Sequence, residues 1–373
     1  MIDTVKISIP YTSRPEWLEK ASRYAKYHST SGVFTAIIYP SKSFNVAGLY
    51  LPQLQYIEQP ATSTREKNYS LNIEVSLPKL YFGNNFNELR DDLFPGVVSE
   101  LSSILKSVWN LVISTTEIEN AIVRRIDYSK NIIYTNRTPV STIIGAIRNA
   151  DISKTYDVQQ TVFKNGGQIY HIHTNSMDIV MYDKIADLRQ SKITEKRSHE
   201  KNNYSQLELL DEFEKHKNVS VARLEIRLNG RQKIRSELKK IGIANEMLLK
   251  HLFSSEISRK ILILHWENIF NLIPKLAVTE TTTSHLLTAY MQDSPEMKFA
   301  EASALVLIQQ LRFELKDERE FRNIIEGLFG TGQYYRMKKL CRDPPNKTQL
   351  KDLLHISETV MKMQPVTITD LIE

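Results

Sequence analysis

Two segments alternate charged and apolar residues so strictly that they dictate both a strand and its surroundings. In "RRIDYSK", Arg125 and Asp127 fall on one side of an extended chain, while Ile126 and Tyr128 fall on the other, because successive side chains of a strand point to opposite faces. In "VARLEIRLNGR", Arg223, Glu225 and Arg227 share one face and Leu224, Ile226 and Leu228 share the other. An acid at the centre of a strand is costly to bury without a partner. Each segment therefore calls for a sheet with one apolar and one polar face, and each acid admits two readings. In the first, flanking arginines neutralise it. In the second, Asp127 and Glu225 stand on adjacent strands and hold a divalent cation through hard oxygen ligands, with Arg125 and Arg227 available for phosphates.

The stretch from Asn165 to Lys184, "NGGQIYHIHTNSMDIVMYDK", reads as a hairpin opened by a glycine pair and turned at "TNS". His171 and His173 are two residues apart, so both rings project from one face, as metal ligands do. The other reading is a pair of solvent-facing histidines. Tyr182 and Lys184 are read as sharing a face of the second strand. A phenol is a poor nucleophile at its usual pKa of about 10, and a nearby cation favours the phenolate. Without such chemistry, a Tyr–Lys pair is an ordinary amphipathic edge.

The rest of the first half is also strand-rich, with "TVKISI", "GVFTAIIYP" and "SLNIEVSLPKLYF" as strands and "ELSSILKSVWNLVI" and "TPVSTIIGAIRNA" as helices. The expected fold class is α+β, built on one mostly antiparallel sheet. Near residue 235 the pattern turns helical and stays so to the end. The expected division is a sheet domain over residues 1–235 and an all-helical region over 236–373. Within the latter, "EREFRNIIEGLFGTGQYYRMKKLCRD" has the form helix, Gly-containing turn, basic helix, which is helix-turn-helix grammar. It brings Arg336, Lys338 and Lys339 near one another with Tyr334 and Tyr335; a solvated amphipathic helix is the competing reading. Residues 190–206 and the Thr-rich stretch 276–285 read as an exposed polar segment and a connector.

A net charge of +6 and clusters of Lys and Arg lean toward a polyanionic partner. The single cysteine, Cys341, excludes an internal disulfide framework and a cysteine zinc site and suits a reducing compartment. No run of about 18 apolar residues suggests a membrane span, and the first residues read as a strand rather than a signal peptide.

Taken in order, "MIDTVKISIPY", "IEVSLPKLYFGNNF", "VRRIDYSKN", "IVMYDK" and "VARLEIRLNGR" resemble the phage and plasmid replication proteins of the gene II/X family, whose type members are rolling-circle initiators of filamentous phages. The resemblance runs along essentially the whole chain. It implies a cytoplasmic protein of the bacterial host cell that nicks one strand of origin DNA, becomes linked to the 5′ phosphate through a tyrosine, and frees a 3′ hydroxyl for synthesis. Host helicase and polymerase are the implied partners, and Mg2+ or Mn2+ the implied cofactor. The family's apolar–Tyr–x–Lys strand falls on "MYDK", which makes Tyr182 the implied nucleophile with Lys184 beside it. The family's acids fall on Asp127 and Glu225. The phage members carry other residues where this chain has "HIH". Histidine–apolar–histidine is instead the signature of the tyrosine-dependent HUH nucleases. A mobilisation relaxase and a non-catalytic DNA-binding repressor are the alternative readings, and Tyr170 is the rival tyrosine.

Overall fold

The computed structural model describes residues 1–11, 25–30, 33–38, 50–60, 67–135, 139–148, 150–164, 168–191, 219–243, 246–273, 287, 290, 296–315, 317–340 and 347–371. The expected connector at 276–285, the polar segment from residue 192 to 206 and the glycine pair at 166–167 lie outside these residues.

Ten strands make the framework: β1 (Ile2–Tyr11), β2 (Ala25–Thr30), β3 (Val33–Ile38), β4 (Gln53–Pro60), β5 (Lys67–Ser76), β6 (Ile122–Tyr134), β7 (Val158–Lys164), β8 (Ile169–Thr174), β9 (Met177–Asp183) and β10 (Ser220–Asn229). They form one sheet in the order β2-β3-β4-β5-β1-β6-β10-β9-β8-β7, and every pairing is antiparallel. The fold is therefore α+β on a large antiparallel sheet, as the strand patterns require. The two charged-and-apolar segments lie side by side at its centre, and β6 and β10 pair without a break from Ser220↔Tyr134 to Asn229↔Arg125.

That register sends Ile126, Tyr128, Leu224, Ile226 and Leu228 to one face, where all are buried. On that side the helices Val140–Arg148, Arg231–Lys240 and Ser255–Phe270 pack against the central strands. The helix Lys347–Lys362 joins them on β6 and on Ser255–Phe270. Its docking is polar as well as apolar: Trp266 donates to Ser357 Oγ at 2.8 Å, and Tyr134 donates to the Asp352 carbonyl at 3.1 Å. Leu353, Ile356 and Val360 consequently belong to the same apolar core as the sheet. A second cluster forms among Leu305, Phe321, Ile325 and Tyr334, on helices Phe299–Leu315, Glu318–Phe329 and Thr331–Leu340, with Tyr290 packed among them. Core packing thus continues past residue 235, through helices that return to the sheet.

Several elements differ from the sequence reading. "SLNIEVSLPKLYF" is not one strand: β5 stops at Ser76 and a helix runs over Leu77–Phe82, because Pro78 cannot donate to a strand ladder but fits a first helical turn. Strands β2, β4 and β7 have no counterpart in that reading. β4 and β7 are rich in Gln, and their partners, not their composition, make them strands. The helix-turn-helix residues Tyr334, Tyr335, Arg336, Lys338 and Lys339 do share the helix Thr331–Leu340. Tyr334 is fully buried and donates to Glu318 Oε1 at 3.1 Å, while Tyr335 and Arg336 are exposed and Lys338 half-buried. Among the described residues no helix is long and apolar enough to cross a membrane.

Ile226, fully buried on the central strand, reports on this core. Ile226→Ala is expected to lower the unfolding free energy by about 2–5 kcal/mol through the cavity it leaves. It is read as a lower denaturant midpoint at unchanged slope; a loss below about 1 kcal/mol would mean that the face is loosely packed.

Candidate functional site

The face opposite the helices is polar across the middle of the sheet. Antiparallel register sets its residues in rows. His173, Asp178, Arg227 and Asp127 face one another across β8, β9, β10 and β6; His171, Val180, Glu225 and Ser129 form the next row, and Ile169, Tyr182, Arg223 and Asn131 the third. A cleft of about 440 Å³ opens over these rows, and its lining includes Glu74, Arg125, Asp127, His171, Tyr182, Glu225 and Arg227. Residues far apart in the chain are gathered here because each sits on a strand whose alternate side chains are needed for the core beneath.

Asp127 and Glu225 do stand on adjacent strands facing the same cleft. Each is held by an arginine of its own strand. Arg125 donates to both carboxylate oxygens of Asp127, at 3.0 and 2.8 Å, and reaches Glu74 at 3.2 Å. Arg227 donates to Glu225 Oε2 at 3.1 Å. Burial, and then the neighbouring Glu225 charge, push the Asp127 carboxyl up to about 7 against the pull of Arg125 and Arg227. Among the described residues neither acid belongs to a group of three or more metal-ligating side chains.

Such a group forms instead around the histidines. His171, His173 and Asp178 bring ligand atoms within 4.8 Å of one another. The imidazole rings stack with centroids 3.5 Å apart. His173 Nδ1 lies 2.9 Å from Asp178 Oδ1, and Asn229 donates to the other oxygen at 3.0 Å. His171 Nε2 is 3.5 Å from Asp178 Oδ1; it is buried and makes no well-formed hydrogen bond. Burial raises the Asp178 pKa, but contacts with His171, Asn229 and His173 outweigh it and bring the carboxyl down to about 2. Two imidazole nitrogens and an ionised oxygen, one nitrogen without a well-formed hydrogen bond, fit a divalent cation with open positions. Asp178 escaped the sequence reading. Its signal was the tight turn: "TNS" sets Asp178 directly across from His173.

Tyr182 lines the cleft at the end of β9 and is the one tyrosine among the lining residues. Its side chain is 9% exposed, and burial holds its hydroxyl well above the usual range. Tyr170 belongs to the other face: it pairs with Met181 and is buried in the core, and burial raises it to about 12. Lys184 is not on the strand. β9 ends at Asp183, whose carboxylate accepts from the Ala186 amide at 2.9 Å as a helix cap, and Lys184 is the first residue of the helix Lys184–Ser191. Its ammonium group nevertheless lies 5.7 Å from the Tyr182 ring centre. Lys184 is fully buried; Nζ makes no hydrogen bond and is 3.9 Å from Asp187. Burial, then repulsion from Arg223, lower it to about 7. Arg223 is buried beneath the cleft, where its terminal nitrogens reach the Asn85 carbonyl and Ser129 Oγ, each at 2.7 Å, and Asp3 at 3.1 Å.

A family model for the N-terminal part of a phage replication-associated protein, the gene II product, matches residues 1–249. No curated protein and no solved structure matches the chain. The matched span takes in all ten strands and every residue that lines the cleft. The chain belongs to this family of gene II-type replication-associated proteins.

Proposed function

We propose that the protein initiates rolling-circle replication by nicking one strand of origin DNA with Tyr182, in an active site of the HUH type. The observation that carries this reading is the presence of Tyr182 and the His171–His173–Asp178 group on one face of the sheet, beside a cleft lined by paired arginines and acids, in a chain of a replication-associated family. The chemistry is assigned to the sheet region, residues 1–235. The helical remainder, with Arg336, Lys338 and Lys339, supplies further DNA contacts. Synthesis from the freed end then requires a host helicase and polymerase, in the cytoplasm of a bacterial cell.

In this reading the Tyr182 oxygen attacks the scissile phosphorus in line with the leaving 3′ oxygen. The Tyr–O–P bond forms as the P–O3′ bond breaks. The 5′ phosphate stays on the protein, and the 3′ oxygen leaves and takes up a proton as a hydroxyl. Bond energy is retained in the phosphotyrosine for later rejoining. Lys184, with its depressed pKa, is the acceptor for the phenolic proton. Arg125 and Arg227 orient the phosphate, and Asp127 and Glu225 hold those guanidinium groups in place. Bound at His171, His173 and Asp178, a divalent cation would stabilise charge on the phosphate oxygens. Two imidazoles with one carboxylate suit Mn2+ better than Mg2+, which prefers oxygen ligands. Asp127 and Glu225, expected from sequence to hold the cation, are assigned to the arginines because each is already paired.

Three experiments test the assignment. Tyr182→Phe removes one oxygen, so folding and DNA binding are expected to persist while the covalent adduct disappears; an adduct formed by that variant rules the nucleophile out. The double variant His171→Ala, His173→Ala should lose both Mn2+ binding, measured by calorimetry, and nicking, whereas Asp127→Asn and Glu225→Gln should keep Mn2+ binding. The reverse pattern would move the cation to the two acids. Finally, a base must be neutral to accept a proton, so nicking should rise with pH through about 7 as Lys184 is deprotonated. Lys184→Met should lose roughly 10²–10⁴-fold in rate together with that rise. A variant that keeps the same limb assigns it to another group.

A further inference from the structure

We propose that the solvent face of the helix Arg231–Lys240 is a docking surface for the phosphate backbone of duplex DNA, an inference that rests on the reading of this chain as an origin-nicking protein. The helix follows β10 directly and buries Ile234, Glu237 and Leu238. Its one acid is turned inward and consumed. Glu237, fully buried, takes Lys233 at 2.6 Å and Lys240 at 2.9 Å on one oxygen and stands 3.3 Å from His265 on the other. The outer face is left with Arg231, Arg235 and Lys239, all exposed. Among the described residues no carboxylate pairs with any of the three. They are four residues apart, so they share one side of the helix and climb it in steps of about 6 Å.

A fourth cation lies at the base of this row. The Gly230 amide donates to the Arg124 carbonyl at 2.9 Å, and Gly230 turns the chain with a φ of 95° that favours glycine. This junction fixes Arg231 beside Arg124. The Arg124 side chain is half-buried, and its Nε is buried without a hydrogen bond. Burial first, and then the charge of Arg231, disfavour its cationic form. The fold thus holds two guanidinium groups close together with no internal anion among the described residues, and continues their charge along a rigid rod. An external polyanion relieves that repulsion.

Chemistry selects duplex over single strand. Surfaces for unpaired nucleic acid combine positive charge with aromatic rings on which bases stack, and this helix, "RQKIRSELKK", carries no aromatic residue. A straight row of cations at fixed spacing recognises the regular backbone and carries no sequence information. The helix packs on the apolar side of β6 and β10, so this surface is separate from the cleft where the cut strand lies.

The test is the triple variant Arg231→Gln, Arg235→Gln, Lys239→Gln, assayed for binding to random-sequence duplex over a range of salt, with excess chelator so that no strand is cut. Each lost phosphate contact lowers the slope of log affinity against log salt by about 0.9, so the slope is expected to fall by about 2 to 3. Cleavage of a single-stranded oligonucleotide should be retained. A control with the same charge change at other exposed positions, Lys106→Gln, Lys298→Gln, Lys362→Gln, should leave the slope in place. An unchanged slope in the first variant, an equal fall in the control, or no duplex binding by the parent protein overturns the proposal. The duplex-binding slopes, read in chelator, do not depend on whether Tyr182 forms an adduct.

Discussion

The pairing of β6 with β10 is the constraint from which the rest follows. Ten consecutive residue pairs lock the two strands together at the centre of the sheet, and their side chains alternate between core and cleft. A slip of β10 by one residue would exchange its faces, driving Glu225 and Arg227 beneath the helices and exposing Ile226 and Leu228. The energetic penalty of burying those charges, against the gain from burying the aliphatic residues, makes the register unambiguous. Once it is set, β9 and β8 extend the polar face outward, and Tyr182, Asp178, His171 and His173 arrive on the cleft side without further specification.

The same alternation explains the electrostatics. Asp127 and Glu225 are tolerable on two central strands because each has an arginine two residues away on its own strand, with the geometry of a bidentate pair at Asp127. Asp127 and Glu225 are thus each paired with an arginine of their own strand. The histidine pair differs: His171 Nε2 is buried and unsatisfied, and such an atom is the kind that a ligand or ion satisfies. Lys184 is a buried ammonium close to the Tyr182 ring that likewise makes no hydrogen bond.

Much of this was legible in the chain. Period-two alternation in "RRIDYSK" and "VARLEIRLNGR" was enough to set Asp127 and Glu225 each on the polar face of a strand, and "HIH" was enough to place two rings on one face. What the pattern could not supply was pairing. Asp178 becomes a neighbour of His173 only through the register of a tight hairpin, and Tyr170 lies on the far face, away from the cleft, because it pairs with Met181. Lys184 falls one element later than the pattern indicates, since Asp183 caps a helix where strand continuation is expected. The helix Lys347–Lys362 reads as part of a separate helical region. Its return to the sheet rests on long-range contacts such as Trp266 with Ser357, for which local sequence carries no signal.

The central claim is that the tyrosine on the cleft face is the one that bonds to DNA. It is tested most directly by trapping the protein on a nicked origin strand, digesting the complex, and locating the nucleotide by tandem mass spectrometry. The account expects the 5′ phosphate on Tyr182, in the peptide that also carries Asp183. A nucleotide on Tyr170, or on any other residue, would contradict it.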